Sequence, residues 1–388
     1  MAALADCGRP DLAVTMTDES FRLHVLPAGN GDALVLEYGS GHDRQRILVD
    51  GGIPPAAARV KAFLGDDAEL ELLVVTHIDN DHIGGLLRLF EMPAPPRPAD
   101  VWFNGYRHLP ESSLQEMGPV AGEKLTMLIL ERGYRWNEAF KRRAVKLGRA
   151  PESPLVCCLK GGLRCTVLSP GPDQLFRLRK EWAPVVREGG LDPAVAAPVP
   201  TPLTPGIQRM GELDVATLAA RTTPKDTTAA NGSSIALLAE WAGRRCLLAG
   251  DAHPDVLRAG IDRLVGPENV LEVDVFKLPH HGSKANVTSD LLRRVRARTY
   301  VFSTNGSGNQ RHPDDEAVAR VIRTGRQPRL AFNYRNDRTR KWDDPALVAQ
   351  HDYSTNYPAS GQQGFLTIDL LALPPRFERR TDAAGGPP

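Results

Sequence analysis

Apolar positions along this chain fall into short strand-like runs separated by segments with helical spacing. FRLHVLPAGNGDALVLEYG reads as two strands joined by a Gly-containing turn at AGNGD. RILVDGG (46–52) is a further short strand ending in Asp50 and two glycines, and PAAARVKAFLG predicts a helix with Pro at its start. ELELLVVTH is a buried strand, and IGGLLRLF opens a helix.

The texture changes from about 91 to 155, beginning with the Pro-rich EMPAPPRPAD. VWFNGY predicts a short strand there, and LTMLILERGYRWNEAFKRRAVKL one or two helices. LVCCLKGGLRCTVLSP predicts a hairpin, and QLFRLRKEWAPVV a helix. Residues 189–208 are rich in Pro, Ala and Gly without a core-forming pattern, which predicts a mobile loop.

Beyond it, SSIALLAEWAGRRCLLAGD predicts strand, turn and strand, ending in Asp251. HPDVLRAGIDRL predicts a helix, VDVFKLPHHGS a strand ending in two His, and TSDLLRRVRA a helix. TYVFSTN, HPDDEAVARVIRTG and GFLTIDL predict strand, helix and last strand. A β-rich half runs into β/α alternation, and the pattern returns after the midpoint. Two similar layers facing each other, with helices outside, is one economical α/β fold for this order. The expected boundaries are a loose lead-in over 1–18, one domain over 19–375 with insertions at about 91–155 and 171–230, and a disordered tail over 376–388.

Composition narrows the class. The chain has 388 residues, 41% hydrophobic and 24% charged, with a net charge of +1, so no global basic or acidic field announces a partner. Cys7, Cys157, Cys158, Cys165 and Cys246 are scattered without a CxxC pair. That is no disulfide framework and fits a reducing cytosol. No signal-peptide pattern and no membrane-length apolar run occurs, which predicts a cytoplasmic protein without membrane contact.

The candidate chemistry sits at the predicted strand ends. THIDNDHIGG packs His77, Asp79, Asp81 and His82 into one turn, with Asp50, Asp251, His280 and His281 at other strand ends. A lone His or Asp in such a place is ordinarily structural, but this density is not. Imidazole and carboxylate donors suit zinc, manganese or iron, and no Cys lies near enough to suggest a structural zinc site. His77 and Asp79 can face one ion, and Asp81 and His82 a second. A hydroxide shared by the two ions would attack a phosphorus or carbonyl centre at neutral pH.

HxDxDH resembles the metal motif of the metallo-β-lactamase superfamily, with Asp79 where the commoner form has a central His. The subgroup with Asp there is the hydrolase domain of competence-type DNA-internalisation proteins and its stand-alone soluble relatives. GNGDALVLEYG, ILVDGG, TVLSP, NGSSIALLAEWAGRRCLLAGDA, LPHHGSK and STNGSGNQRHP with GFLTIDL follow in family order over roughly 20–370. The resemblance implies an αββα sandwich and two divalent metal ions, zinc or manganese. It implies His77, Asp79, Asp81, His82, Asp251 as a bridge and one of His280 and His281 as metal ligands, His280 being favoured because it directly follows the strand-ending Pro279. His281 would then stand behind them or donate a proton, and Asp50 would orient a ligand. Asn231 takes the place of another family His and is a further candidate ligand, which makes the first site oxygen-rich and manganese plausible.

Asp81, His281 and Asp50 are accordingly the expected catalytic groups. For a phosphodiester, donors are expected from Ser283, Lys284, Asn305, Asn309 and His312, with Arg311, and from the backbone N–H groups of Ile83, Gly84 and Gly85. The basic runs KRRAVKLGR, RRVRAR and RNDRTRK offer a nucleic-acid track, and Tyr334, Trp342, Tyr353 and Tyr357 either stack on bases or pack a C-terminal subdomain. The leading expectation is a metal-dependent phosphodiesterase, a nuclease acting on DNA or RNA. The alternatives are a hydrolase of a small ester, lactone or amide with an apolar rim, and a latent or regulatory metal-binding module released by a protein partner or by proteolysis of the 189–208 loop.

Overall fold

The computed structural model describes residues 18–110, 120–148, 154–188, 213–307 and 311–378. Strands β1 (Glu19–Val25), β2 (Leu34–Ser40) and β3 (Gln45–Val49) form an antiparallel meander. Helix α1 (Ala57–Leu64) leads to β4 (Glu69–Leu70) and β5 (Leu72–Val74), and α2 (Asn80–Glu91) to β6 (Arg97–Pro98) and β7 (Val101–Trp102). After α3 (Val120–Glu131) come β8 (Val156–Cys158), β9 (Arg164–Ser169), α4 (Pro172–Glu188), α5 (Val215–Ala220) and α6 (Ala229–Gly232). The hairpin β10 (Ala236–Trp241) and β11 (Arg244–Leu248) precedes α7 (Pro254–Val265), β12 (Leu271–Lys277), α8 (Ser289–Leu292) and β13 (Val295–Phe302). The chain closes with α9 (Asp315–Thr324), β14 (Arg329–Phe332), α10 (Pro345–His351), β15 (Ser354–Asn356), β16 (Leu366–Asp369) and β17 (Arg376–Glu378).

Two large sheets result. One has seven strands in the order β17-β16-β1-β2-β3-β5-β7, the other eight in the order β15-β14-β13-β12-β11-β10-β9-β8. The strand period of two sorts side chains between their faces. Phe21, Leu23, Val25, Leu36 and Val49 of the first sheet meet Val167, Leu237, Leu248, Val275 and Val301 of the second in one buried layer. The intervening positions Val35, Leu48 and Leu73 point outward onto Val60, Ile83, Leu86 and Leu89 of α1 and α2. Leu238, Leu247, Phe276 and Tyr300 face outward onto Leu257, Ile261, Val318 and Val321 of α7 and α9. This is the expected αββα sandwich.

Several local expectations are corrected. The RRVRAR region is not helical beyond Leu292 but enters β13, because Val295 and Ala297 are buried while Arg296 and Arg298 are not, a period of two. One helix, α3, ends at Glu131 before Gly133 at φ 63, and the following residues hold only a short 3₁₀ turn at Glu138–Phe140. Helix α2 starts at Asn80, three residues before IGGLLRLF. The stretch expected as an insertion over 91–155 supplies β7, which pairs with β5. Residues 376–378 are not tail but strand β17, paired with β16. Trp342 and Tyr353 are buried and Tyr357 stacks on Phe332, so these aromatics pack the C-terminal part. The 189–208 loop lies outside the described residues. Among the described residues no helix is long and apolar enough to cross a membrane. Cys158 is disulfide-bonded, while Cys157, Cys165 and Cys246 are free thiols.

Pairs β3–β5, β11–β12 and β12–β13 are parallel. Their C-terminal ends deliver Asp50, His77, Asp251, His280 and His281 to one edge of the sandwich, the place where open parallel sheets gather ligand groups.

Candidate metal centre

The four strand-end motifs converge on one carboxylate. Asp251 Oδ2 lies 3.4 Å from His82 Nε2, 3.7 Å from His280 Nε2, 3.7 Å from His281 Nε2 and 3.9 Å from His77 Nε2. Asp79 Oδ2 is 3.6 Å from His77 Nε2, and Asp81 Oδ2 is 3.5 Å from His281 Nε2. His77, His82, Asp251 and His281 are buried, whereas Asp79 and Asp81 open onto the cleft.

Each imidazole is held from behind at Nδ1. Asp50, fully buried, accepts from His82 Nδ1 at 2.8 Å, from Thr76 N at 2.8 Å and from Thr76 Oγ1 at 2.7 Å. The single Thr76 hydroxyl proton is therefore committed to Asp50, so at 3.0 Å Thr76 Oγ1 accepts from His77 Nδ1. His281 Nδ1 donates to the Ser303 carbonyl at 3.0 Å, which can only accept. In the neutral form all three rings thus carry their proton on Nδ1 and turn a bare Nε2 to Asp251. Those three Nε2 atoms, Asp251 Oδ1 and Asn231 Oδ1 are buried without a hydrogen-bond partner. Unpaired buried acceptors facing one carboxylate are costly unless a cation sits among them, so the donor set fits a divalent metal.

The electrostatics agree. Burial would lower the His82 pKa, but Asp251 and Asp50 hold it well above the usual imidazole value. Burial likewise opposes charge on His281, and Asp251 and Asp32 push its pKa up to about 9. Burial alone would raise Asp251, and His82, His281 and His280 hold it well below the usual carboxylate range. Without a metal, protons take the place of the missing positive charge.

The backbone is strained to build this. His280 and His281 both sit at positive φ, 47° and 54°, and Asp50 at 58°. Such non-glycine residues cost about 1–3 kcal/mol each and persist where surrounding structure demands them. Gly31 presses on the loop from the other side: a Cβ there would lie 1.7 Å from the Asp81 carbonyl oxygen.

Two groups that sequence reasoning passed over support the centre. Asp32 lies 3.4 Å from His281 Nδ1 and contacts the fully buried Lys277 ammonium. Asp32, His82, Asp251 and His281 can each bring one donor atom within 4.8 Å of the others. Asp32 nonetheless stands behind the His281 ring with its charge already taken by Lys277, so it is placed to orient that ring. A lone Lys in the apolar run VDVFK was the signal for this pair. Asn30 Nδ2 donates to Asp81 Oδ2 at 3.2 Å.

Among the expected residues, His281 rather than His280 stands beside Asp81 and His82; the two ring centroids of His82 and His281 are 5.1 Å apart. His280 faces Asp251 and the Asn231 side instead. A cleft of about 370 Å³ opens over the centre, lined by Asn30, Asn80, Thr228, Ser307, Arg311 and His312 among others. Of the expected substrate residues among those described, Arg311 and His312 line it. Ser283 Oγ accepts from Ala285 N, Lys284 leans 3.8 Å from Glu316, and Asn305 Oδ1 accepts from Ser307 N, so these three shape turns beside the cleft. Asn309 lies outside the described residues. The Ile83 and Gly85 amides already donate, to Asp79 and Gly52 carbonyls, and are no free anion donors. Two of the basic runs are largely paired with carboxylates: Arg293, Arg294, Arg296 and Arg298 with Asp290, Asp262, Glu272 and Asp274, and Arg335, Arg340 and Lys341 with Asp343, Asp337 and Asp315, while in KRRAVKLGR Arg142 pairs with Glu138.

Residues 26–96 match the family model described as Metallo-beta-lactamase superfamily. ComE operon protein 3 of Bacillus subtilis (strain 168) is 25% identical over 118 residues, 29% of this chain and only 15% of that relative. A Cronobacter sakazakii metallo-β-lactamase described by a HARLDQ motif is 13% identical over 66% of this chain and 76% of that one, with a TM-score of 0.27. A mutant of it is 12% identical over 64% and 70%, with a TM-score of 0.27. At those scores the likeness of shape is too slight to argue from.

Proposed function

We propose, for a chain whose residues 26–96 match the metallo-β-lactamase superfamily model, the role of a metal-dependent phosphodiesterase that cuts nucleic-acid strands. The carrying observation is the approach of four imidazole Nε2 atoms to Asp251 Oδ2 at the floor of a polar cleft. In this reading Asp81, His82 and His281 would hold one divalent ion, and His77, Asp79, His280 and Asn231 the other, with Asp251 available to both. The mixed nitrogen and oxygen donors accept zinc or manganese.

When bound, such ions polarise a phosphoryl oxygen and lower the pKa of water. The residues of the chain do the rest. Asp50, Thr76, Ser303 and Asp32 fix the imidazole rings, so no reorganisation is needed during reaction. Arg311 stands exposed on the cleft wall and offers a guanidinium to a phosphate oxygen. Asn30 and Asn80 supply neutral amide donors around it. Among the described residues Ile53 is the one aliphatic side chain along that wall, which favours a charged ester over an apolar lactone. The resemblance to competence-type hydrolase domains supports nucleic acid as the source of that phosphodiester.

The test is cleavage by protein stripped of metal and resupplied with manganese or zinc. Single-stranded DNA, duplex DNA, RNA and a chromogenic carboxylic ester are compared, with Asp81→Ala and Asp251→Ala as controls. Metal-restored cutting of nucleic acid that both variants lose is expected. Turnover of the ester alone, or nucleic-acid cutting that survives both variants, overturns the reading.

A further inference from the structure

Behind Asn231 and His280 lies a buried carboxylate that none of the metal motifs contains. Asp226 precedes α6 in the polar stretch PKDTTAAN, and its side chain is 6% exposed. Asp226 Oδ1 accepts from Thr228 N at 3.0 Å and Thr228 Oγ1 at 2.9 Å, which ties the carboxylate to its own turn. His253 Nε2 lies 3.7 Å from the same oxygen. Asp226 Oδ2 accepts from Asn231 Nδ2 at 2.6 Å and from Asn286 Nδ2 at 3.0 Å, and His280 Nδ1 lies 3.5 Å away.

These contacts leave no freedom in the two amides. A carboxylate only accepts, so Asn231 must turn its NH₂ to Asp226. Its Oδ1 is then aimed away, buried and without a hydrogen-bond partner, while the residue lines the cleft beside Asp251. The Asn286 NH₂ faces three acceptors: Asp226 Oδ2, the Asp251 carbonyl at 3.2 Å and the Ala252 carbonyl at 3.4 Å. The Asn286 Oδ1 must therefore point to His280 Nδ1, 3.0 Å away, and accept its proton. With Nδ1 protonated, the 3.4 Å approach of Asn231 Nδ2 to His280 Nδ1 is no hydrogen bond. His280 Nε2 is left bare, facing Asp251 Oδ2 at 3.7 Å.

We propose that Asp226 is the positioning residue of one half of the metal centre, setting through two hydrogen-bonded amides both the oxygen that Asn231 presents and the nitrogen that His280 presents. This rests on the metal-centre reading above. The carboxylate is itself delivered by fastened chain: Arg320 donates to the Arg221 carbonyl at 2.7 Å and Thr223 Oγ1 at 3.0 Å, and Thr223 Oγ1 donates to the Lys284 carbonyl at 2.9 Å. Asp226→Asn keeps the shape but must set its NH₂ either against the two amide donors or against the Thr228 N–H, so either the hold on the two amides or the hold on the turn that carries them is lost.

The experiment needs no substrate. Metal-free wild type, Asp226→Asn and Asn286→Leu are titrated with manganese chloride by calorimetry. Histidine ¹⁵N spectra and urea unfolding are recorded on the same metal-free samples. Asp226→Asn is expected to weaken manganese binding at one class of site by about 10–100-fold, as loss of a group supporting a ligand does. The Nδ1–H signature of His280 should fade in both variants, and Asn286→Leu should weaken manganese less because Asn231 stays held. Wild-type manganese affinity in a folded Asp226→Asn overturns the proposal. So does an unchanged His280 signature in Asn286→Leu, which carries the test if Asp226→Asn does not fold. A wild type that binds manganese but cuts no nucleic acid would defeat the function proposed above without touching this one.

Discussion

Replacing Lys277 by Met tests the electrostatic frame of the site directly. Lys277 ends β12 with its side chain fully buried, in contact with the Asp32 carboxylate and 3.4 Å from the Gly250 carbonyl. It thereby joins the residue behind His281 to the residue before Asp251. Burial would raise the Asp32 pKa, yet Lys277 holds it below the usual carboxylate range, so Asp32 is ionised in the folded chain. Met fills similar volume but leaves that charge with only His281 Nδ1 at 3.4 Å. Removing one partner of a buried pair costs about 3–5 kcal/mol, because the remaining charge is uncompensated. Asp32→Asn with Lys277→Met removes both charges, so the double variant should recover part of the loss. Urea unfolding of wild type, both single variants and the double variant, all metal-free, gives the coupling. A Lys277→Met cost below about 1 kcal/mol, or single costs that simply add in the double variant, would refute the reasoning.

Further outcomes follow from the same geometry. Burial, with the charges of Arg22 and Arg46, lowers the His24 pKa to about 3, so the folded chain refuses a proton that the unfolded chain accepts below its ordinary 6.5. Stability should fall with pH across that window by up to about 1.4 kcal/mol per unit. His24→Phe, which keeps an aromatic ring against Phe63, should lose this part of the slope in urea unfolding between pH 7 and pH 4, and equal slopes would count against it. Chelating the metal should lower the thermal midpoint and readdition restore it, since a ligand at about 100-fold its Kd stabilises by about 2.7 kcal/mol. Asp251→Ala should show no such response in a melting assay. Arg311→Gln should raise KM for nucleic acid by about 10–100-fold with kcat little changed, the loss of one charge-assisted hydrogen bond to phosphate. An unchanged KM would remove Arg311 from the binding wall.

The sandwich was legible because its signal is local. Strands such as β2 and β10 announce themselves by apolar content, and Gly-Asp or His-His endings mark where parallel strands stop. Reading failed where one period imitates another over a few residues. TSDLLRRVRA has helical spacing up to Leu292, but Val295 and Ala297 are already the buried side of a strand. The metal motifs were legible for the same reason of locality, since His77, Asp79, Asp81 and His82 share one turn.

What escaped the sequence is everything decided by direction or by distant partners. Extended geometry would send neighbouring side chains to opposite sides, which gives no basis for choosing between His280 and His281. Their two successive left-handed residues instead swing both Nε2 atoms to Asp251, and only His281 reaches Asp81. The supporting carboxylates are each set by a pairing across the fold: Asp32 with Lys277, Asp226 with Asn286. Charge runs mislead in the same way. RRVRAR looks like a cationic patch only while Asp262, Glu272 and Asp274, which lie on other elements, are ignored. Donor types are thus visible in short motifs, but the identity of each donor atom depends on the acceptor behind it. In this site those acceptors are Thr76, Asp50, Ser303, Asn286 and Asp226, and of these only Thr76 lies in the THIDNDHIGG turn.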